Sequence, residues 1–299
     1  MTRIFVAGNS GQVAQSLKEA AASNGIELKT AGRPNFDISD ADNMRSIIEN
    51  YAPTAIINAA AYTAVDAAET DEETATAINA EGASKLATIA ADLEIPFLHL
   101  STDYVFDGNK DSAYIETDAV APQGAYGRSK LAGEKTVVAA NPNAMIFRTA
   151  WVFSPFGKNF CKTMLTLAKT RNELGVVADQ WGNPTYALDI ALALLTIIKK
   201  IEQNGWQSNF SGLYHLVGTG DTNWHGFATK IFNEGGKHGH PVPKVNAITT
   251  ADFPTPAKRP ANSRLDCSKL KSIFGIELPN WQESTANCVK RLFENKALG

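Results

Sequence analysis

The first half of the chain alternates short apolar segments with longer, amphipathic segments rich in alanine. Short runs of β-branched and aliphatic residues favour strands, and each longer segment can cross over the sheet and return the chain to it. The alternation predicts strands at 4–7, 27–31, 55–58, 97–101 and 145–149 and helices at 13–23, 41–50, 72–93 and 126–139. Because such crossovers are right-handed, we expect an α/β fold with a doubly wound parallel sheet of the Rossmann type.

The pattern changes after residue 149, where proline, glycine and tryptophan become frequent. Helices are predicted at 159–170, 186–203 and 224–233, separated by irregular loops. We therefore expect two domains, 1–150 and a smaller lobe at 151–299, with some segments of the lobe returning to the first domain. Pro254, Pro256 and Pro260 disfavour regular structure in 249–264 and predict a loop that wraps a surface or a ligand.

Charge and composition exclude several classes of function. The 299 residues carry 28 Lys+Arg and 31 Asp+Glu, a formal net charge of −3, which argues against nucleic acid or an anionic membrane as a partner. The three cysteines form no CxxC pair and His238 and His240 suit a solvated turn, so we expect no metal. The N-terminal apolar run is too short for a signal peptide and the stretch 187–198 too short to cross a bilayer, so we expect a cytoplasmic protein.

The first predicted strand runs directly into the turn Gly-Asn-Ser-Gly-Gln-Val-Ala at 8–14. Glycine at 8 and 11 allows a tight turn, and the N-terminus of the following helix presents N–H groups and a positive dipole to a pyrophosphate. Read alone, the pattern also fits an ordinary turn. Its position after the first strand predicts a dinucleotide site, formed by Gly8, Asn9, Gly11, Gln12 and Val13.

Two further segments bear on the dinucleotide. The end of the second strand has no carboxylate for the ribose but has Arg33, with Lys29 as an alternative, for a 2′-phosphate, which favours NADPH and leaves NADH possible. Asp37 is a reserve contact for the ribose or adenine. The third strand ends in three small side chains, Ala59, Ala60 and Ala61, which let a cofactor lie flat against the backbone or simply form a tight junction.

A pair of residues with catalytic potential opens the predicted helix at 126–139. Tyr126 and Lys130 are four residues apart and therefore share one helical face. A tyrosine titrates near 10, and lowering its pKa toward neutrality requires about 4 kcal/mol, which a lysine cation and an oxidised nicotinamide can supply together. Thr102 follows the fourth strand, at the edge of the sheet where such folds bind ligands, and is placed to hydrogen-bond a reacting oxygen.

Together these residues resemble the extended branch of the short-chain dehydrogenase/reductase family. Longer runs are similar to the dTDP-4-dehydrorhamnose reductases within that branch, at 58–66, 101–108, 126–134, 148–152, 179–185 and 259–265. The resemblance implies that a nicotinamide hydride reduces the C4 ketone of dTDP-4-dehydro-6-deoxy-L-mannose to dTDP-L-rhamnose. It also implies that 1–150 binds the dinucleotide and that 151–299 mainly binds the dTDP-sugar.

The resemblance assigns roles to individual residues. Tyr126 donates the proton, Lys130 lowers the pKa of Tyr126 and holds the nicotinamide ribose, and Thr102 polarises the C4 oxygen. The implied cofactor contacts are Gly11, Gln12, Val13, Asp37, Ile38, Ala61, Tyr62 and Thr63. The implied substrate contacts are Asp103 and Trp151 at the sugar, with Gln180, Arg259 and Arg264 toward the nucleotide. A homodimer is a further expectation from the family.

Departures and alternatives remain at this stage. Ala14 stands where the family usually has a third glycine, and the acid that some relatives carry after the second strand is missing, which bears on cofactor preference. The alternatives are a nucleotide-sugar epimerase, a 6-deoxytalose-forming reductase and a non-catalytic NADP-binding regulatory subunit. Elimination chemistry is disfavoured because Asp103 is followed by Tyr104 and not by a second acid.

Overall fold

The computed structural model describes residues 2–295. Its strands are β1 (Arg3–Ala7), β2 (Glu27–Ala31), β3 (Ala55–Asn58), β4 (Phe97–Thr102), β5 (Met145–Thr149), β6 (Val152–Phe153), β7 (Glu173–Val177), β8 (Trp181–Gly182), β9 (Thr185–Tyr186), β10 (Gly212–His215), β11 (Thr222–Asn223), β12 (Lys244–Ile248) and β13 (Asn262–Ser263). Its α-helices are α1 (Gln12–Ser23), α2 (Ala41–Tyr51), α3 (Val65–Ala68), α4 (Glu72–Thr76), α5 (Ala83–Asp92), α6 (Ala125–Ala140), α7 (Phe160–Ala168), α8 (Ala187–Asn204), α9 (Trp224–Gly236), α10 (Ser268–Phe274) and α11 (Trp281–Glu294).

A parallel sheet of six strands organises the fold, in the order β2-β1-β3-β4-β5-β10. Helices α1 and α8 pack on one face, and α2, α5 and α6 pack on the other. Side chains such as Phe5, Phe97 and Phe147 are fully buried, and each is worth about 1.5–3 kcal/mol. The direction of winding reverses between β1 and β3, and open sheets of this kind bind ligands at such a switch point.

The sequence prediction of a doubly wound parallel sheet is confirmed. All five predicted strands are present: three have the predicted bounds, β1 begins one residue early and β4 ends one residue late. The helix predicted over 72–93 is divided into α4, a π-helical segment (Ala77–Gly82) and α5. Asn79 in the π-helical segment makes two hydrogen bonds with Tyr62, in the loop beyond β3, and one with Ser129 on α6.

The second half of the chain contributes to two regions. Helices α7, α9 and α11 pack with the parallel pair β7–β12 around their own apolar core. In contrast, β10 pairs with β5 in the main sheet, and α8 packs against α1. The sequence analysis did not identify β10, because a four-residue strand after an irregular loop has too little periodicity to be recognised. Within residues 2–295, no helix is long and apolar enough to cross a membrane.

A buried ion pair joins the sheet to helix α6. Arg148 on β5 donates to both carboxylate oxygens of Glu134 on α6, at 2.8 and 2.7 Å, and Ser101 on β4 donates to the same carboxylate at 2.6 Å. The two charged side chains are only 4% and 6% exposed. Because a buried charge without its partner is costly, this pair fixes one position of α6 against the sheet.

We expect Glu134→Gln to reduce the free energy of unfolding by about 3–5 kcal/mol, because it leaves the Arg148 charge buried and unpaired. Glu72→Gln is the matched control, since Glu72 pairs with Arg128 at the surface, with 43% and 46% of the side chains exposed, and should cost less than about 1 kcal/mol. Urea unfolding measures both variants. Equal losses would contradict the role assigned to the buried pair.

Candidate active site

The carboxyl ends of β1, β3, β4 and β5 meet at one edge of the sheet, and most of the predicted site residues follow these strands directly. The glycine turn follows β1, the small residues follow β3, and Thr102 ends β4. Helix α6 carries Tyr126 and Lys130 to the same edge. The parallel topology therefore brings together residues that lie more than one hundred positions apart in the chain.

The turn after β1 has the shape of a cradle. Gly8 has a φ of +114°, and a Cβ there would lie 3.1 Å from the Ala59 carbonyl carbon, so the turn and the end of β3 are in close contact. Gly11 forms the N-cap of α1 without a side-chain cap, and a Cβ there would meet no atom within 4 Å. The N-terminus of α1 thus presents its first N–H groups to open space, as an anion-binding site requires. Val13 is buried in the core beneath this turn.

Gln12 and Asn9 connect the turn to other segments. The Gln12 amide donates to the Val152 carbonyl at 3.3 Å and accepts from the Ser154 hydroxyl at 2.9 Å. Asn9 Oδ1 accepts from the Thr30 hydroxyl at 3.0 Å. Through these contacts, the cradle is tied to the segment after β5 and to the end of β2.

Three predicted cofactor residues follow β2. Arg33 is exposed, as expected of a side chain that reaches for a phosphate. The Asp37 carboxylate accepts hydrogen bonds from the backbone N–H and hydroxyl of Ser39, which lower the pKa of Asp37. Ile38 is buried in the core, and a Cβ at Gly82 would lie 2.8 Å from its carbonyl oxygen. The side chain of Ile38 therefore packs inward.

The loop after β3, residues 59–63, is held from behind by Asn79. The Asn79 amide accepts from the Tyr62 backbone N–H at 2.8 Å and donates to the Tyr62 carbonyl at 3.1 Å. It also donates to the Ser129 hydroxyl at 2.9 Å, and Ser129 donates to the Tyr126 carbonyl at 2.8 Å. Asn79 thus joins the loop of Ala61, Tyr62 and Thr63 to the helix that carries Tyr126.

Thr102, Tyr126 and Lys130 lie together, as the sequence predicted, and all three are buried. The Lys130 ammonium donates to the carbonyl of Leu100 on β4 at 2.7 Å. Burial lowers the pKa of Lys130 to about 8, and the negative charge of Glu134 partly offsets this lowering. Lys130 is therefore largely cationic at neutral pH and titrates just above it.

The Tyr126 hydroxyl is enclosed by its neighbours. Burial raises the pKa of Tyr126, a hydrogen bond with Thr102 opposes this, and the charges of Asp103 and Tyr104 add to the rise. The Tyr104 ring packs edge-on against the Tyr126 ring, with centroids 5.5 Å apart. The predicted lowering requires an oxidised nicotinamide beside the phenol and stays a prediction. In the chain alone, Tyr126 holds its proton at neutral pH.

A cavity of about 580 Å³ extends from this region into the second lobe. Its wall is mainly apolar and includes Trp151 and Trp224, whose rings stack with centroids 3.6 Å apart. Gln180 accepts from Trp224 Nε1 at 3.2 Å and donates to the Thr250 hydroxyl at 3.0 Å, which fixes its amide at the wall. A small-molecule site typically combines such an apolar wall with a few fixed polar groups.

The proline-containing loop closes one end of the cavity. Arg259 lines the cavity, donates to the Tyr104 hydroxyl at 3.0 Å and pairs with Asp66 Oδ2 at 2.7 Å. Arg264 lies elsewhere: its guanidinium donates to Asn262 Oδ1 at 2.8 Å and to the Asp111 carbonyl at 2.5 Å, and it does not line the cavity. Of the two predicted diphosphate partners, only Arg259 faces the site.

Several residues at this site were missed by the sequence analysis. Tyr104 lines the cavity and packs against Tyr126, Ser263 on β13 lies beside Asp103, and Asn79 supports the 59–63 loop. Trp224 on α9 stacks on Trp151. Tyr104 stood inside the quoted motif and could have been found there, whereas the others depend on long-range packing.

We expect Asn79→Ala to free the 59–63 loop, because it removes three buried hydrogen bonds at a cost of about 1–3 kcal/mol. Asn141→Ala is the control, since Asn141 is equally buried but bonds to Ala87 and Asn143, away from the site. Amide hydrogen exchange should accelerate at Tyr62 in the first variant only, while both lose stability. Equal exchange at Tyr62 would argue against this role.

Across residues 2–295, no group of three or more His, Cys, Asp or Glu side chains is arranged to hold a metal ion.

Comparison with known proteins gives consistent matches over nearly the whole chain. A curated protein of Sinorhizobium fredii, named dTDP-4-dehydrorhamnose reductase, is 48% identical over 287 residues, covering 96% of each chain. A crystal structure of a dTDP-4-dehydrorhamnose reductase from Clostridium acetobutylicum is 36% identical, with a TM-score of 0.89, and covers 97% of this chain and 99% of the other.

A second crystal structure, of dTDP-4-dehydrorhamnose reductase from Bacillus anthracis in complex with NADP, is 32% identical, with a TM-score of 0.89. The alignment covers 97% of this chain and 100% of the other. The family model described as the RmlD substrate binding domain matches residues 1–294. These matches, over nearly the whole chain, show that the chain belongs to the RmlD family.

Proposed function

We propose that this protein is a dTDP-4-dehydrorhamnose reductase that uses NADPH to reduce the C4 ketone of dTDP-4-dehydro-6-deoxy-L-mannose. The observation that carries the proposal is the juxtaposition of Thr102, Tyr126 and Lys130 beside the glycine cradle and close to the cavity. Relatives that carry this name are 48% and 40% identical to the chain. A regulatory subunit would have no need of this catalytic trio.

The residues at the sheet edge fit a nicotinamide dinucleotide. Gly8 and Ala59 approach closely, the N-terminus of α1 opens to free space at Gly11, and Arg33 is exposed at the end of β2. Gly11, Gln12 and the loop 59–63 would hold the pyrophosphate and ribose, and Arg33 a 2′-phosphate. Asp37 is a weaker candidate, because its carboxylate already binds Ser39.

When bound, NADPH supplies the hydride that reaches the C4 carbon. The Tyr126 hydroxyl then gives its proton to the C4 oxygen, which becomes the C4 hydroxyl of the product. The Lys130 cation, held by the Leu100 carbonyl at 2.7 Å, stabilises the phenolate that Tyr126 becomes until solvent returns a proton. Thr102 hydrogen-bonds the C4 oxygen, where negative charge develops in the transition state.

The cavity is the proposed site of the dTDP-sugar. Trp151 and Gln180 line the cavity and would contact the sugar and the nucleotide part, respectively. Asp103 lies beside Thr102 and beside Ser263 of the cavity wall and would contact the sugar from there. Arg259 would exchange Asp66 for the diphosphate, since guanidinium groups bind phosphate in a bidentate manner. Arg264 is a weaker candidate because of its position outside the cavity wall. The domain roles, 1–150 for the dinucleotide and mainly 151–299 for the sugar, follow from this assignment.

Homodimerisation and a cytoplasmic location belong to the same proposal. Both come from the resemblance to the reductases, whose substrate is a nucleotide sugar, and from the expectation that no partner is a membrane or a nucleic acid. Gel filtration with light scattering tests the dimer, and cell fractionation tests the location.

We expect Tyr126→Phe to lower kcat for NADPH oxidation with the ketosugar by about 10²–10⁴-fold, because the proton donor is lost. Binding of NADPH should change by less than about twofold, since the ring remains in place. Tyr114→Phe is the control: its hydroxyl donates to Asp107 at 2.7 Å, away from the catalytic trio, and it should keep turnover. A Tyr126→Phe protein that retained a tenth of the activity (~1.4 kcal/mol) would contradict the proposal.

The product of the wild-type reaction is identified by NMR. dTDP-L-rhamnose supports the proposed stereochemistry, whereas dTDP-6-deoxytalose keeps the chemistry and changes the face that receives the hydride. Release of an epimerised ketosugar without net NADPH consumption would favour the epimerase.

We expect Arg33→Ala to raise KM for NADPH about tenfold and to leave KM for NADH unchanged, because one charge-assisted hydrogen bond to the 2′-phosphate is lost. Initial rates with each cofactor measure the effect. Lys29→Ala is the comparison, since Lys29 is the alternative cation and lies 5.5 Å from the Tyr51 ring centroid. A loss confined to Lys29→Ala would move the phosphate contact to that residue.

A further inference from the structure

The Thr102 hydroxyl has a single hydrogen, and two neighbours can accept it. Thr102 Oγ1 donates to Asp103 Oδ1 at 3.0 Å, accepts from the Tyr104 backbone N–H at 3.2 Å and is also hydrogen-bonded to Tyr126. A hydroxyl that gives its hydrogen to a carboxylate has none left for a ketone oxygen. An ionised Asp103 therefore competes with the C4 oxygen for the Thr102 hydrogen.

The surroundings of Asp103 favour its neutral form. The side chain is 3% exposed, and none of the residues described by the structure donates a hydrogen bond to Oδ2. A carboxylate with one oxygen buried and unpaired is costly, whereas a carboxylic acid there pays little. Burial raises the pKa of Asp103 to about 6, although Ser263 and Thr102 oppose the rise.

The groups around Asp103 are mostly hydroxyls. Tyr126 from α6, Tyr104 from the segment after β4 and Ser263 from β13 surround it. Lys130, from α6, donates to the Leu100 carbonyl. The ion pair of Arg259 and Asp66 meets the Tyr104 hydroxyl. The hydroxyls around Asp103 are thus neutral, whereas the charged groups nearby, Lys130 and the Arg259–Asp66 pair, are bonded to other partners.

We propose that Asp103 is a positioning residue which, as a neutral acid, donates its proton to Thr102 Oγ1 and frees the Thr102 hydrogen for the C4 oxygen of the ketosugar. In this arrangement Thr102 accepts from Asp103 and from the Tyr104 N–H, and its hydrogen, which Tyr126 can also accept, is donated to the substrate. The inference rests on the proposed reductase function. It gives Asp103 a role through Thr102, in addition to the sugar contact that the resemblance implied.

The first test measures the rate of hydride transfer in single turnovers at pH values between 5 and 8. Saturating ketosugar gives the rate constant of the bound complex, and limiting ketosugar gives kcat/KM. For the wild type we expect kcat/KM to fall about tenfold per pH unit above a pKa near 6. Asp103→Asn should remove this break, because its amide N–H donates to Thr102 at every pH. An Asp103→Asn profile with the same break, or a wild-type profile without one, would overturn the inference.

Two controls distinguish the titration of Asp103 from other causes of a change of slope near pH 6 in the pH–rate profile. The 2′-phosphate of NADPH also titrates near 6, so both proteins are measured with NADH as well, which has no such phosphate. Thr102→Val removes the group on which Asp103 acts, so its rate should be low at all pH values and show no break. A break that persists in Thr102→Val would contradict the coupling of Asp103 to Thr102.

A second test needs neither turnover nor a variant that folds well. The carboxyl ¹³C resonance of Asp103 in labelled wild-type protein, assigned by its absence in Asp103→Asn, should titrate near 6. Titration near the ordinary value of about 4 would overturn the inference. A wild type that oxidises neither cofactor at any pH, while Asp103 titrates near 6, would contradict the proposed function and leave the Asp103–Thr102 pair supported.

Discussion

The buried ion pair between Arg148 and Glu134 is the interaction on which the geometry of the site depends. It joins β5 to α6, and Ser101 joins the same carboxylate to β4. Glu134 lies one helical turn beyond Lys130 and two turns beyond Tyr126, so holding Glu134 sets the height and rotation of both. A one-residue shift of α6 would leave two charges buried without partners, which gives the helix a single favourable position.

Close backbone contacts also fix the position of α6. A Cβ at Gly127 would lie 2.2 Å from the Tyr104 carbonyl oxygen, and one at Gly133 would lie 2.1 Å from the Asn79 carbonyl oxygen. Helix α6 therefore approaches the segment after β4 and the π-helical segment as closely as a backbone allows. The N–H of Ala125, at the start of α6, is bound by the Glu69 carboxylate at 2.9 Å. The buried ion pair, the two glycines and the bond to the Ala125 N–H thus all favour the same placement of α6.

The sheet could be predicted because most of its strands are short apolar runs separated by helices of regular periodicity, which is a local and repeated signal. Thr102, Tyr126 and Lys130 could be predicted from the sequence because Tyr126 and Lys130 are one helical turn apart and Thr102 ends a strand. Ser263 and Trp224 reach the site by tertiary packing, which leaves no local pattern. The enclosure of Tyr126 by Tyr104 and Asp103, which raises the pKa of Tyr126, is likewise a property of the folded chain.

Burial shifts the pKa values of Tyr126, Asp103 and Lys130 for the same physical reason. It favours the neutral form, so it raises the pKa of Tyr126 and Asp103 and lowers that of Lys130. Reduction of a ketone places negative charge on oxygen and then requires a proton. Tyr126 keeps its proton at neutral pH and so can supply it where the negative charge forms. The same enclosure that stabilises the fold thus also holds the proton on the residue proposed to donate it.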